Sequence, residues 1–191
     1  MGKLFCIMGK SASGKDTIFS RIMQERPELK TYLIYTTRPK REFEEEGVNY
    51  HYVSAEKLNS FEEEGKLIEK RIYNTIHGPW IYATVDDGQI DLDKYSYLVP
   101  ATLESYEKLK SYFGVDKTVP IYIEVEDGIR LMRALKREMK EEVPKYKELC
   151  RRFLADAEDF SEDAITKAHI SKRYNNLDFE ACVAEILKDM R

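Results

Sequence analysis

Leu4-Phe5-Cys6-Ile7-Met8-Gly9-Lys10-Ser11-Ala12-Ser13-Gly14-Lys15-Asp16-Thr17 runs from apolar to glycine-bounded to helical spacing within fourteen residues. The apolar run from Leu4 to Met8 is short and unbroken, which predicts a buried parallel strand covered on both faces. Apolar positions at Ile18, Phe19, Ile22 and Met23 have helical spacing over residues 16–26, and Pro27 ends them. Between strand and helix lies G-x-x-x-x-G-K, the spacing of a phosphate-binding loop. Glycines let the backbone wrap closely around a polyphosphate with its N–H groups inward. The helix N-terminus adds partial positive charge. Lys15 adds a mobile full charge for the β- and γ-phosphates. Asp16 stands where such loops usually carry Ser or Thr, and Thr17 follows one place later. Both are candidate Mg²⁺ ligands, since Mg²⁺ takes hard oxygen donors. In the plainer alternative Asp16 only caps the helix and Thr17 serves the metal.

The composition narrows the remaining choices. The 191 residues carry 31 Lys and Arg against 35 Asp and Glu, a net charge of −4. Such a chain is a poor candidate for sequence-independent binding to a nucleic-acid backbone. No apolar run approaches the roughly 18–20 residues of a membrane helix, and the N-terminal run is too brief for a signal peptide. Cys6, Cys150 and Cys182 are odd in number and widely spaced. That pattern excludes a disulfide framework and predicts a reducing, cytoplasmic setting. His51, His77 and His169 also lack metal-ligand spacing.

Along the rest of the chain, strands are expected at residues 32–35, 50–53, 67–72, 80–83, 97–99, 119–125 and 168–171, with Gly78-Pro79 as a turn. Helices are expected from the Ser54 cap to about residue 64, and over 102–113, 127–140, 145–160 and 179–190. Strands alternating with helices imply an α/β fold, a mostly parallel sheet with helices on both faces. Residues 36–85 read as a small β-rich insert.

Three further groups could carry chemistry. Arg38 and Arg41 follow a strand closely, and guanidinium forks suit phosphate oxygens. A solvated cluster paired with the acidic run at residues 42–46 is equally compatible. Tyr50, Tyr52 and Tyr82 could donate hydroxyls to a phosphate, or be ordinary strand residues. Glu69 lies beside Leu67 and Ile68, and a single carboxylate matches the two adjacent N–H donors of a guanine edge, which adenine lacks. It could instead be an outward strand position. Arg130, Arg133, Arg137, Arg151 and Arg152 straddle a Pro144-containing turn, as a mobile lid or as an ordinary charged helical hairpin.

Taken in order, these segments resemble guanylate kinase: the 9–17 loop, Thr36-Thr37-Arg38 with Arg41, the Glu46-to-Ser54 stretch, Gly65 to Glu69, Gly78 to Tyr82, the lid arginines and Asn175-Asn176-Leu177-Asp178. The resemblance implies a P-loop NTPase-type three-layer core built from residues 1–35 and 84–191. It further implies a lid at about 133–152 and a GMP-binding subdomain at 36–83, in one guanylate kinase-like domain over 2–190. It implies transfer of the ATP γ-phosphate to GMP with Mg²⁺. ATP would be held by Gly9, Lys10, Ser11, Ala12, Ser13, Gly14, Lys15, Asp16, Thr17 and Asn175. GMP would be held by Arg38, Arg41, Tyr50, Glu69 and Tyr82. Lys15, Arg137 and Arg152 would act on the transferring group, with Arg133 as a nearby alternative.

The chain also departs from the family pattern. Ile34 stands where a serine is usual, Val99-Pro100-Ala101 replaces an Asp-x-Asp, and the 84–95 stretch is short enough to have lost a helix. Asp16 is expected to supply near the metal the carboxylate missing at 99–101. A kinase for another phosphorylated acceptor, such as ribose 1,5-bisphosphate, and a non-catalytic interaction module are the alternative functions.

Overall fold

A computed structural model describes residues 2–75 and 78–190. In chain order the elements are β1 (Leu4–Met8), α1 (Lys15–Glu25), β2 (Tyr35–Thr36), β3 (His51–Tyr52), α2 (Ala55–Glu63), β4 (Leu67–Thr75) and β5 (Gly78–Val85). They continue with β6 (Tyr97–Pro100), α3 (Leu103–Phe113), β7 (Thr118–Glu124), α4 (Asp127–Glu138), α5 (Tyr146–Asp159), α6 (Glu162–Lys167), β8 (Arg173–Asn175) and α7 (Phe179–Asp189).

The main sheet has the order β6-β1-β7-β8, parallel throughout. Its strands divide their side chains between two cores with period two. Leu4, Cys6, Met8, Tyr97, Val99 and Tyr122 pack with α3, α6 and Phe160. Phe5, Ile7, Leu98, Ile121 and Ile123 pack with α1 and α7. Both faces of β1 are therefore buried, which is why its sequence is apolar at every position.

The second sheet, β3-β2-β5-β4, is mixed. One face packs Ala83, Tyr35 and Ile81 on Leu58 and Phe61 of α2. Ser54 caps α2 by accepting the Lys57 N–H, and Thr102 and Ser105 form a capping box on α3.

Several expectations are corrected. The strand read at 32–35 is reduced to Tyr35–Thr36, because the Gln89 side chain takes the ladder's place at Leu33, accepting its N–H at 3.0 Å and donating to its carbonyl at 3.3 Å. Gly78-Pro79 is not a turn but the start of β5, with Pro79 opposite Asn74. β4 ends at Thr75 and β5 begins at Gly78, and His77 lies outside the described residues. No strand forms at 168–171. Ala168 caps α6 and His169 adopts φ +58°, while the strand comes later as β8, whose polar-apolar-polar sequence buries Tyr174 alone. The helix read to residue 160 ends at Asp159, and Ser161 starts the separate α6. Residues 86–96 link the sheets without a helix. Among the described residues no helix is long and apolar enough to cross a membrane.

Ile22 is fully buried between α1, α7 and the sheet. Ile22→Ala is expected to cost about 2–5 kcal/mol and to lower Tm by roughly 5–15 °C in a domain of this size. Thermal unfolding followed by circular dichroism reads this directly, and an unchanged Tm would contradict the two-core packing.

Candidate functional site

The loop between β1 and α1 is held open by groups from distant parts of the chain. Gly14 precedes α1 in the left-handed region at φ +87°. A Cβ there would lie 2.3 Å from Asn176 Nδ2, so glycine is required on both conformational and steric grounds. Asn176 is buried and donates from Nδ2 to the Ser13 carbonyl at 2.7 Å. Arg130, only 1 % exposed, donates from Nη1 to the Ser11 carbonyl at 2.8 Å and packs over the Phe153 ring. Asp156 Oδ2 accepts the Ser11 N–H at 2.7 Å and lies 3.6 Å from Arg130. Arg152 Nη2 reaches Ser11 Oγ at 3.1 Å. Ser13 is buried, and its hydroxyl has no hydrogen-bond partner among the described residues.

The charges at the mouth of this loop are already partnered. Lys15 Nζ donates to Asp16 Oδ1 at 2.5 Å, and the Asp16 side chain is 90 % exposed. Lys10 Nζ lies 3.6 Å from Asp127 Oδ1. Thr17 is exposed on the first turn of α1. A cleft of about 320 Å³ beside the loop is lined by Lys10, Glu124, Glu126, Asp127, Glu162 and Asn175, among others. A second, of about 410 Å³, lies along α4 against Ile129, Met132 and Arg133. Arg133 Nη2 donates to the Asn176 carbonyl at 2.9 Å, which ties this cleft to the loop.

The other face of the second sheet is polar. Residues directly opposite in a ladder point to one face, and the pairs Tyr52–Thr36, Thr36–Tyr82, Arg71–Tyr82 and Glu69–Thr84 place all these side chains together. Arg38 is buried above them, donating from Nε to Tyr82 Oη at 3.1 Å and from Nη2 to Glu44 Oε1 at 2.8 Å. Glu44 Oε2 accepts from the Arg41 N–H at 2.9 Å and the Tyr52 hydroxyl at 2.8 Å. Tyr50 packs edge-on against both Tyr52 and Tyr82, with the Arg38 guanidinium 5.3 Å from its ring centre. The Arg38 guanidinium, more than burial can oppose it, pulls the Glu44 carboxyl down to about 2. The ion pair is therefore complete above the ordinary carboxylate range and is lost only as pH falls toward 2. Deeper in the same face, Glu69 accepts from Thr84 Oγ1 at 2.8 Å and from Arg71 Nε and Nη2 at 3.1 and 3.3 Å.

The structure thus brings the 9–16 loop and Arg152 to one centre, and Arg38, Tyr50, Tyr82 and Glu69 to another. Arg41 joins the second centre through its backbone, its side chain being exposed. Arg137 lies exposed on α4, outside both sets of contacts. Asn175 is exposed at the end of β8, and its Oδ1 accepts the Leu177 N–H. Glu44, Arg71, Asp156 and Asn176 were not singled out from the sequence. Glu44 lies hidden in an acidic run that reads as solvated. Asn176 was quoted only as a neighbour of Asn175, and one residue of offset decides which of the two faces the loop.

The guanylate kinase family model matches residues 1–90. A guanylate kinase of Chlorobium luteolum is 37% identical over 73 residues, 38% of this chain and 37% of that protein. One of Neisseria gonorrhoeae is 36% identical over 87 residues, 46% of this chain and 40% of that protein. One of Desulfotalea psychrophila is 40% identical over 68 residues, 36% of this chain and 34% of that protein. These alignments thus span well under half of each relative's length. The crystal structure of guanylate kinase from Anaplasma phagocytophilum covers 100% of this chain and 85% of its own at a TM-score of 0.64, with 20% identity. The chain therefore has a guanylate kinase-type α/β fold throughout, and in sequence its first 90 residues are those that resemble the family.

Proposed function

We propose that this chain transfers the γ-phosphoryl group of ATP to GMP, giving ADP and GDP. A GMP phosphate oxygen attacks the γ-phosphorus as the bond to the β–γ bridging oxygen breaks. The observation that carries the reading is the pairing of two centres: a glycine-bounded loop that runs into α1 at Lys15, and a separate arginine–tyrosine–carboxylate face on the second sheet.

In this reading residues 1–35 and 84–191 form the core, with a lid at about 133–152, and residues 36–83 receive the acceptor. The 9–17 backbone wraps the ATP phosphates, with Asn176 and Arg130 fixing the Ser13 and Ser11 carbonyls away from them. Lys15 exchanges Asp16 for phosphate oxygens. Arg152 at the loop rim neutralises charge on the transferring group, and Arg137 joins it only when the α4–α5 hairpin closes. Asn175 lines the nucleoside side of the cleft. Arg38, Arg41, Tyr50 and Tyr82 hold the GMP phosphate, and Glu69 reads the base. Catalysis is positioning and charge neutralisation, with no covalent intermediate.

The donor set fits Mg²⁺. Asp16 is an exposed carboxylate at the loop mouth with the Thr17 hydroxyl next in sequence. An ion that keeps several waters and takes one or two carboxylates plus substrate phosphates needs no more protein ligands. Mg²⁺ supplies neutralisation of phosphate charge. A reducing cytoplasm suits the three free cysteines, two of them buried.

A coupled ADP-release assay with GMP, AMP, UMP and ribose 1,5-bisphosphate is expected to show turnover with GMP first. Turnover with the sugar alone, or with no acceptor, would overturn the reading. Lys15→Met should lower kcat by roughly 10²–10³-fold, as for loss of one preorganised charge donor. Asp16→Asn should move the Mg²⁺ titration of turnover to higher concentration, and an unchanged titration would remove Asp16 from the metal's shell. For Glu69→Ala the expected loss is in base selectivity more than in phosphate binding, read from the GMP to AMP ratio of kcat/KM.

A further inference from the structure

Arg71 lies on β4 two residues after Glu69, on the same face, with its side chain 15% exposed against 2% for Glu69. Of this pair it is the arginine that reaches the surface. A carboxylate oxygen has two lone pairs to offer. Glu69 Oε1 uses both, toward Thr84 Oγ1 and Arg71 Nη2, and Oε2 uses one, toward Arg71 Nε. The two adjacent N–H donors of guanine need one position on each oxygen. Oε2 has one free. On Oε1 the longest contact, Nη2 at 3.3 Å, is the one that gives way.

That exchange turns Nη2 loose while Nε stays anchored on Oε2 at 3.1 Å. A guanine whose N–H donors lie on Glu69 would carry its O6 and N7 acceptors on the edge next to N1, within the reach of a freed guanidinium nitrogen. Arginine against O6 and N7 is the geometry by which guanidinium forks pick out guanine elsewhere. Adenine places an amino donor at the same point, opposite a donor. We propose that Arg71 is a specificity-determining residue that reads the O6 and N7 acceptors of the acceptor base while Glu69 reads its N–H donors. This rests on the reading of the second-sheet face as a GMP site.

The test compares GMP with 7-deaza-GMP, in which C–H replaces N7, as acceptors for the unmodified chain, Arg71→Lys and Arg71→Met, with KM and kcat read separately. The unmodified chain is expected to show a severalfold higher KM for the deaza analogue. Arg71→Met should raise the GMP KM by roughly 5- to 150-fold, change kcat less, and treat the two acceptors alike, with Arg71→Lys between. A counter-ion whose only role is structural would leave the ratio of the two KM values unchanged. Equal KM values in the unmodified chain, or an unchanged or lowered GMP KM in Arg71→Met, would overturn the inference. The first comparison needs no variant, so equal KM values overturn the inference even where Arg71→Met fails to fold, and Arg71→Lys then carries the assignment to Arg71. Absence of any GMP turnover in the unmodified chain would remove the site reading and the inference together. Turnover without discrimination of the analogue removes the inference alone.

Discussion

The site depends on a strand buried on both faces that ends in a loop whose carbonyls are tied down from behind. Because β1 is packed by two cores, its C-terminal end cannot shift without disturbing both. The residues after Met8 therefore emerge at a fixed point. Asn176 from the segment before α7 and Arg130 from α4 then bind the Ser13 and Ser11 carbonyls. The Ser11 and Ser13 N–H groups are held as well, by Asp156 and the Lys10 carbonyl, so the path of the loop into the start of α1 is fixed. Burying Arg130 is tolerable because it is shared among the Ser11 carbonyl, Asp127, nearby Asp156 and the Phe153 ring.

A second theme is internal neutralisation. Lys15 meets Asp16, Lys10 meets Asp127, Arg38 meets Glu44 and Arg71 meets Glu69. These four cations each hold a carboxylate, whereas Arg152 rests on the Ser11 hydroxyl and the Arg41 and Arg137 side chains are exposed. Binding is then an exchange of partners rather than the capture of an anion by bare positive charge, and it suits a chain whose net charge is −4. The exchange differs in cost between the pairs. Asp16 is solvated and moves freely, whereas Glu44 and Glu69 are buried and keep further hydrogen bonds from Tyr52 and Thr84. The acceptor face is accordingly the more rigid of the two centres.

Much of this was legible in the sequence. The apolar run, the glycine spacing and Lys15 placed the loop, and short apolar runs and helical spacing placed the main strands and helices. What failed did so for identifiable reasons. Gln89 satisfies the Leu33 backbone from 56 residues away, and no local pattern shows that. Pro79 could join a strand because it sits at the hairpin end, opposite Asn74. Glu44 looked solvated among four other acidic or aromatic neighbours, yet Arg38 draws it inside. Nothing local marks Arg71, whose place is set by its register opposite Tyr82 and two residues from Glu69. Such contacts belong to tertiary pairing, which spacing along the chain does not encode.

The most direct test of the central claim is calorimetric titration of ATP with Mg²⁺ into the unmodified chain and into Asn176→Ala, each also titrated with GMP. Loss of the buried hydrogen bond to Ser13 is expected to weaken ATP binding roughly tenfold and to leave GMP binding as it was, since the Asn176 side chain bonds the loop of the first centre. No ATP binding by the unmodified chain, or equal ATP affinity in the two proteins, would contradict the account.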